Sequence, residues 1–196
     1  MRTKLLYLWC ICILSLSAHS QSDPGFWNSQ MKIEENKYIL NLPDAWKKVT
    51  IGEGLGIEHK FDFGGVGIPA SVAGSPLYAY FTISRIPGNK HAQAMEQVLN
   101  DFTVFYDRVT EPGYNYDTTT ATIKTGQTGT LLHCRYYRRS KVSNYSKYFL
   151  IIYSPDADET YILALNFQYK DSSYDIERSA HFSDYAKQVF AHFELR

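Results

Sequence analysis

The sequence predicts an α+β fold: a mostly antiparallel sheet of about six to seven strands sandwiched by two long helices. Three observations predict it. Two apolar runs, Lys147–Ser154 and Glu159–Gln168, are joined by Pro155-Asp156-Ala157-Asp158, and so short a connection favours antiparallel pairing. In Ser179–Phe193, residues Phe182, Tyr185, Ala186, Val189, Phe190 and Phe193 form one stripe of a 3.6-residue helix, which must lie on that sheet. Finally, Leu77–Ile86 is apolar on both faces, as expected of a central strand covered above and below.

Taken in order, the chain opens like an export signal. Arg2 and Lys4 precede an apolar run, Leu5 to Leu16, that is short for a membrane span. Ala18-His19-Ser20 then places small residues where a signal peptidase needs them, so residues 1–20 are expected to leave before Gln21. The alternative is an uncleaved anchor. A lipid anchor is disfavoured, because Cys10 follows Trp9 and Cys12 follows Ile11, both bulky. Residues 21–36 are polar apart from Phe26-Trp27 and read as an N-terminal tail; 37–196 then make a single domain.

Lys37–Leu42 alternates, with Tyr38, Leu40 and Leu42 on one face, and Pro43 stops it. Asp44-Ala45-Trp46 turns the chain; Trp46 reads as a core plug rather than an exposed ring. In Ile57–Phe63 the strict alternation puts Ile57, His59, Phe61 and Phe63 on one side and Glu58, Lys60 and Asp62 on the other. Gly64–Pro76 is rich in Gly, Ala and Ser and reads as a loop. After Pro87-Gly88-Asn89, a helix over about Lys90–Val109 carries the stripe Met95, Val98, Leu99, Phe102, Phe105, Tyr106 and Val109. Thr118–Lys124 is β-branched and strand-like, and Gln127–Arg138 with Tyr145–Ser154 reads as a long hairpin around Ser140–Asn144.

Composition bounds the function. Lys plus Arg number 20 against 20 Asp plus Glu, and loss of the leader removes Arg2 and Lys4, so nothing favours nucleic acid or an anionic membrane. Cys134 is the one cysteine beyond the leader, so no internal disulfide forms. Stability must come from an apolar core, for which 16 Tyr, 11 Phe and 3 Trp are available.

No catalytic or metal constellation stands out. The histidines His59, His91, His133, His181 and His192 never occupy the i, i+4 helix spacing or the alternate-strand spacing that lets two imidazoles reach one ion. Asp156-Ala157-Asp158-Glu159 lacks the Gly and the ligand spacing of a calcium loop. Gly74-Ser75-Pro76 is not a nucleophile elbow. Cys134 lies mid-strand beside apolar neighbours, and His133 points to the opposite face. No metal and no cofactor is expected. The patch with chemical character is Arg135-Tyr136-Tyr137-Arg138-Arg139-Ser140-Lys141, with Lys147 across the proposed turn. Guanidinium forks beside aromatic rings suit carboxylate, phosphate or glycan recognition, which makes Arg135, Tyr137, Arg139 and Lys147 the candidate ligand-binding residues. The alternative is a solvated hairpin whose charges prevent aggregation.

Tyr38-Ile39-Leu40-Asn41-Leu42-Pro43-Asp44-Ala45-Trp46 resembles the opening strand and Pro–x–x–Trp turn of the PsbP-like superfamily. Tyr161-Ile162-Leu163-Ala164-Leu165, followed by Phe182 and Val189-Phe190-Ala191-His192-Phe193, resembles its last strand and terminal helix. That superfamily holds an extrinsic photosystem subunit, a Ran-binding nuclear import factor and small exported bacterial proteins. The resemblance spans about Lys37 to Leu195 and implies a helix-flanked antiparallel sheet serving as a binding or assembly-helper module without catalysis. The chain departs from the pattern at Gly64–Pro76 and at Asp171–Glu177. The expectation is an exported, periplasmic or secreted, non-enzymatic module of the cell envelope whose partner is an envelope protein or an anionic small molecule. The alternatives are a hydrolase with its site near Gly64–Pro76, or a surface protein binding anionic groups or glycans through the Arg135–Lys147 hairpin.

Overall fold

A computed structural model describes residues 30–51, 57–62, 76–107, 114–138, 143–169 and 176–196. The expected leader, residues 1–20, lies outside these, as do most of Gly64–Pro76 and most of Asp171–Glu177. Five strands open the order: β1 (Gln30–Glu34), β2 (Tyr38–Pro43), β3 (Lys47–Val49), β4 (Ile57–Asp62) and β5 (Pro76–Pro87). Helix α1 (His91–Asp107) follows, then β6 (Tyr114–Thr122), β7 (Thr128–Arg138), β8 (Ser143–Ser154) and β9 (Glu159–Tyr169). The chain closes with α2 (Ile176–Phe190) and β10 (Phe193–Leu195).

These strands form two sheets, a large one ordered β3-β4-β5-β9-β8-β7-β6 and a small one ordered β1-β2-β10. Every pairing is antiparallel. The turns explain the register. Pro155–Asp158 closes β8 onto β9, with Asp158 in the left-handed region at φ 47°, a conformation Asp tolerates because its short side chain bonds locally. The link from β6 to β7 needs Gly126 at φ 86°, where its N–H donates to the Ile123 carbonyl at 2.9 Å.

The expected architecture of one sheet enclosed by two long helices is overturned. The described residues are mostly strand, arranged in two sheets, and the helices among them are short, 17 and 15 residues. On one face of the large sheet lies α1, whose Ala94 and Val98 pack with Leu132, Cys134, Ile151 and Ile162. The other face meets α2 together with the small sheet, and Tyr38, Leu40, Leu42, Phe182, Val189, Phe190 and Phe193 join one core with Phe81, Ile83, Leu150, Leu163 and Leu165. The segment read as a tail supplies β1, which runs against β2 from Gln30↔Pro43 to Glu34↔Ile39. Phe193, read as the last position of the helical stripe, sits instead in β10 opposite Leu40. Its ring is still fully buried, because a helix that stops at Phe190 and a strand that starts at Phe193 present it to the same core. Trp46 is buried too, its ring 6.0 Å from that of Phe81. Among the described residues no helix is long and apolar enough to cross a membrane.

The inner strands approach closely at Gly129. A Cβ placed there would lie 2.6 Å from the Ile151 carbonyl oxygen and 2.8 Å from Leu150 Cδ1, and backbone cannot yield as a flexible side chain can. Gly129→Ala is expected to cost about 1–3 kcal/mol in urea denaturation through overpacking alone.

Candidate functional site

At one end of the sandwich, where the β1–β2 turn overhangs the large sheet, a cleft of about 360 Å³ is lined by Glu35, Asn36, Lys37, Tyr38, Glu58, His59 and Arg85. Its floor begins with a break in β4. Register runs Ile57↔Ser84 and then His59↔Ile83, so Glu58 is an extra residue without a partner in β5. The strict alternation expected of Ile57–Phe63 therefore fails here, as it does at any bulge. The consequence is chemical. Two consecutive residues reach one ring: Tyr38 Oη donates to Glu58 Oε2 at 3.4 Å, and the His59 ring meets the Tyr38 ring edge-on at 6.3 Å.

Around this bulge four elements contribute charge. Arg85, near the end of β5, pairs with Glu58 on one side and donates to Glu159 of β9 at 3.0 and 3.2 Å on the other. Lys37 of the β1–β2 turn reaches Glu159 Oε1 at 2.7 Å, and Tyr161 Oη donates to Glu159 Oε2 at 3.1 Å. Burial opposes ionisation of Glu159, yet the hydrogen bonds from Lys37, Arg85 and Tyr161 outweigh it and hold its carboxyl below the ordinary value. Burial likewise opposes the Arg85 charge, and its bonds to Glu58 and Glu159 raise its pKa regardless. Burial, then the charges of Glu58 and Glu35, push the Tyr38 hydroxyl well above its usual range, so it stays a donor.

His59 Nε2 stands 3.0 Å from Glu35 Oε1. A carboxylate only accepts, so Nε2 carries the proton of this bond. Nδ1 of His59 and Nε of Arg85 are both buried without a hydrogen-bond partner, a cost of about 1–3 kcal/mol each.

The residues singled out from sequence lie elsewhere, and the ladder divides them. Arg135 and Tyr137 stand in β7 opposite Ser146 and Asn144, whereas Lys147 is opposite Cys134. Register thus assigns Lys147 to the alternate face from positions 135 and 137, and Arg139 falls outside the described residues. Moreover, β7 and β8 are interior strands, flanked by β6 and β9; they present no free edge. Cys134 is fully buried, and burial pushes its thiol up to about 12, which leaves it inert near neutral pH. Opposite it on the sheet, sequence reasoning missed a polar line across three strands. His133 Nε2 is 2.7 Å from Ser146 Oγ, and its Nδ1 is 3.8 Å from Asp117 Oδ2. Among the described residues no three His, Cys, Asp or Glu side chains gather as metal ligands.

No family model matches the chain and no curated protein is similar to it in sequence. Solved structures are similar in fold. The chain's fold resembles that of Mog1p. That Ran-binding protein of Saccharomyces cerevisiae aligns over 85% of this chain and 95% of its own at 7% identity and a TM-score of 0.55. LpqN of Mycobacterium tuberculosis, described as involved in cell envelope biogenesis, aligns over 85% of this chain and 90% of its own at 14% identity and a TM-score of 0.47. At these identities Mog1p matches this chain in fold alone.

The Glu159 network sets an acid limit. Its depressed carboxyl stabilises the fold above the ordinary value of 4.5, and that contribution is lost as pH falls through the native-state pKa below 4.5. Glu159→Gln is expected to cost about 1–3 kcal/mol at neutral pH and to flatten the fall in melting temperature below pH 4.5. Both are read from thermal melts across a pH series.

Proposed function

We propose that the protein is an exported, non-enzymatic binding module of the cell envelope and that the cleft beside Arg85 is its recognition site. One observation carries this reading. Side chains from the β1–β2 turn, β4, β5 and β9 converge there and hold one another in fixed positions, so the polar rim is organised before any ligand arrives. Two cations, Lys37 and Arg85, face three carboxylates, Glu35, Glu58 and Glu159. That balance favours a neutral or cationic polar ligand over an anion. A ligand that lets His59 or Arg85 turn toward it also relieves the buried, unpartnered atom each now carries.

Export is supported by the signal-like leader, and assignment to the PsbP-like superfamily by the Tyr38–Trp46 and Tyr161–Leu165 segments. Mog1p shares the architecture and is Ran-binding; the architecture is thus compatible with a binding role, which in this chain rests on its own cleft residues. In a two-dimensional NMR titration, lysinamide should shift Asn36, Tyr38, His59 and Arg85 saturably, glutamate should not, and Glu35→Lys should abolish the effect. Glu35 is exposed, so the substitution leaves the fold intact. Shifts centred on positions 135–147 instead would move recognition to the hairpin.

A second reading, hydrolysis, has one observation in its favour: the Ser146–His133–Asp117 line has the order of a nucleophile, a base and an orienting acid. Its geometry argues for a buried network. Ser146 is fully buried, the His133 ring is stacked on Tyr148 at 4.1 Å, and 3.8 Å is too long for a hydrogen bond to Asp117. A fluorophosphonate probe, which labels activated serines, is expected to leave Ser146 unmodified by mass spectrometry; labelling lost in Ser146→Ala would install the hydrolase reading.

A further inference from the structure

Among the described residues the two sheets end in four edge strands, and three of them are blunted. In the large sheet β3 has three residues, of which Lys47 and Lys48 are exposed. In the small sheet β10 also has three residues, and its Phe193 carbonyl already accepts from Lys124 N at 2.9 Å. At the other side of that sheet β1 has five residues, with Lys32 and Glu34 in an ion pair at 2.6 Å. Short length, lysine and charge are the ordinary devices that keep a sheet edge from recruiting another strand.

The fourth edge, β6, is neither short nor lysine-bearing, and Asp117 is its single charge. It runs for nine residues, YNYDTTTAT, with no Lys and no Pro, and pairs with β7 without a register shift from Tyr114↔Tyr136 to Thr122↔Thr128. Its five residues from Tyr116 to Thr120 are all exposed, including Tyr116 at 47%, the exposed large apolar side chain among the described residues. Thr and Tyr are strong strand formers, and the outward N–H and C=O groups of such an edge are a template for a further strand.

We propose that β6 is a self-pairing edge that joins two copies of this chain through an antiparallel ladder with its twofold axis at Thr118. The proposal stands apart from the cleft. The exposed run is centred on Thr118, and a twofold there sets Thr118 against its own copy. It also sets Asp117 against Thr119 and Tyr116 against Thr120. The single charged residue of the strand therefore never meets itself, while Thr–Thr and aromatic–Thr pairs line the ladder, both favourable across strands. A second copy always carries the complementary edge, and the contact is isologous and closes on itself rather than growing into a filament. The joined sheet is continuous across the two chains.

The test places the same charge one residue apart. In sedimentation equilibrium over a concentration series, the full chain should reach a mass twice its own. In Thr118→Lys each lysine faces the other, so the dissociation constant should rise by about threefold or more. In Thr119→Lys each lysine faces Asp117 of the second copy, so the constant should fall by about two- to tenfold. Both sites are exposed, and opposite responses to one substitution cannot come from a general loss of folding, which circular dichroism checks in parallel. A wild-type chain that stays monomeric at every concentration overturns the proposal. So do two variants that shift the constant in the same direction.

Discussion

The structure depends on a mismatch of area. The large sheet spans seven strands, about 29 Å from edge to edge at the usual spacing. A 15-residue helix is about 22 Å long and about 10 Å across. Helix α2 therefore cannot cover the inner face alone. Tyr161 is fully buried all the same, because β2 and β10 are laid beside the helix and bring Tyr38 and Phe193 against its ring. Everything at the seam follows from having a roof made of two pieces. Where the smaller piece ends at the β1–β2 turn, polar groups from both sheets face each other without an apolar filler, and Arg85 with its two carboxylates occupies the gap.

How much of this could be read from the chain depends on the range of the interaction. The stripe Phe182–Phe190 and the hairpin at Pro155–Asp158 were legible because both are local, set by spacings of two to four residues. The Gln30–Glu34 strand also left a trace: Met31 and Ile33 alternate with Gln30, Lys32 and Glu34, and both pack against the core. That trace is easily outweighed by the polarity of its surroundings. Phe193 could not be assigned locally at all, since it fits the helical period as well as the strand that it forms. Two helices alone were expected to cover the sheet where a second sheet shares the task, because a pattern of apolar spacing reports which face is buried and says nothing about what buries it.

The cleft was further out of reach. Its residues come from positions as far apart as Lys37 and Glu159, 122 residues in sequence, and each reads singly as an ordinary surface charge. The bulge at Glu58 breaks an alternation that looked perfect, and no residue type announces it; β4 carries neither a Gly nor a Pro there. The hairpin residues, by contrast, drew attention through composition, and the ladder then separated Lys147 from positions 135 and 137. Clustering in sequence along a strand spreads side chains over two faces, whereas the cleft residues are gathered across strands.

The pairing of β10 with β2 has a consequence for how the chain matures. Leu195 lies opposite Tyr38, and the Arg196 amide donates to the Lys37 carbonyl at 3.0 Å. In order of synthesis β10 emerges from the ribosome after every other element described, while β2 emerges among the first. Until then the roof lacks the strand that adjoins β2, and Tyr38 and Tyr161 lack the Phe193 ring that lies 5.3 and 5.6 Å from them. The core cannot close from its N-terminal end alone, so the roof over Tyr38 and Tyr161 is finished only when β10 arrives.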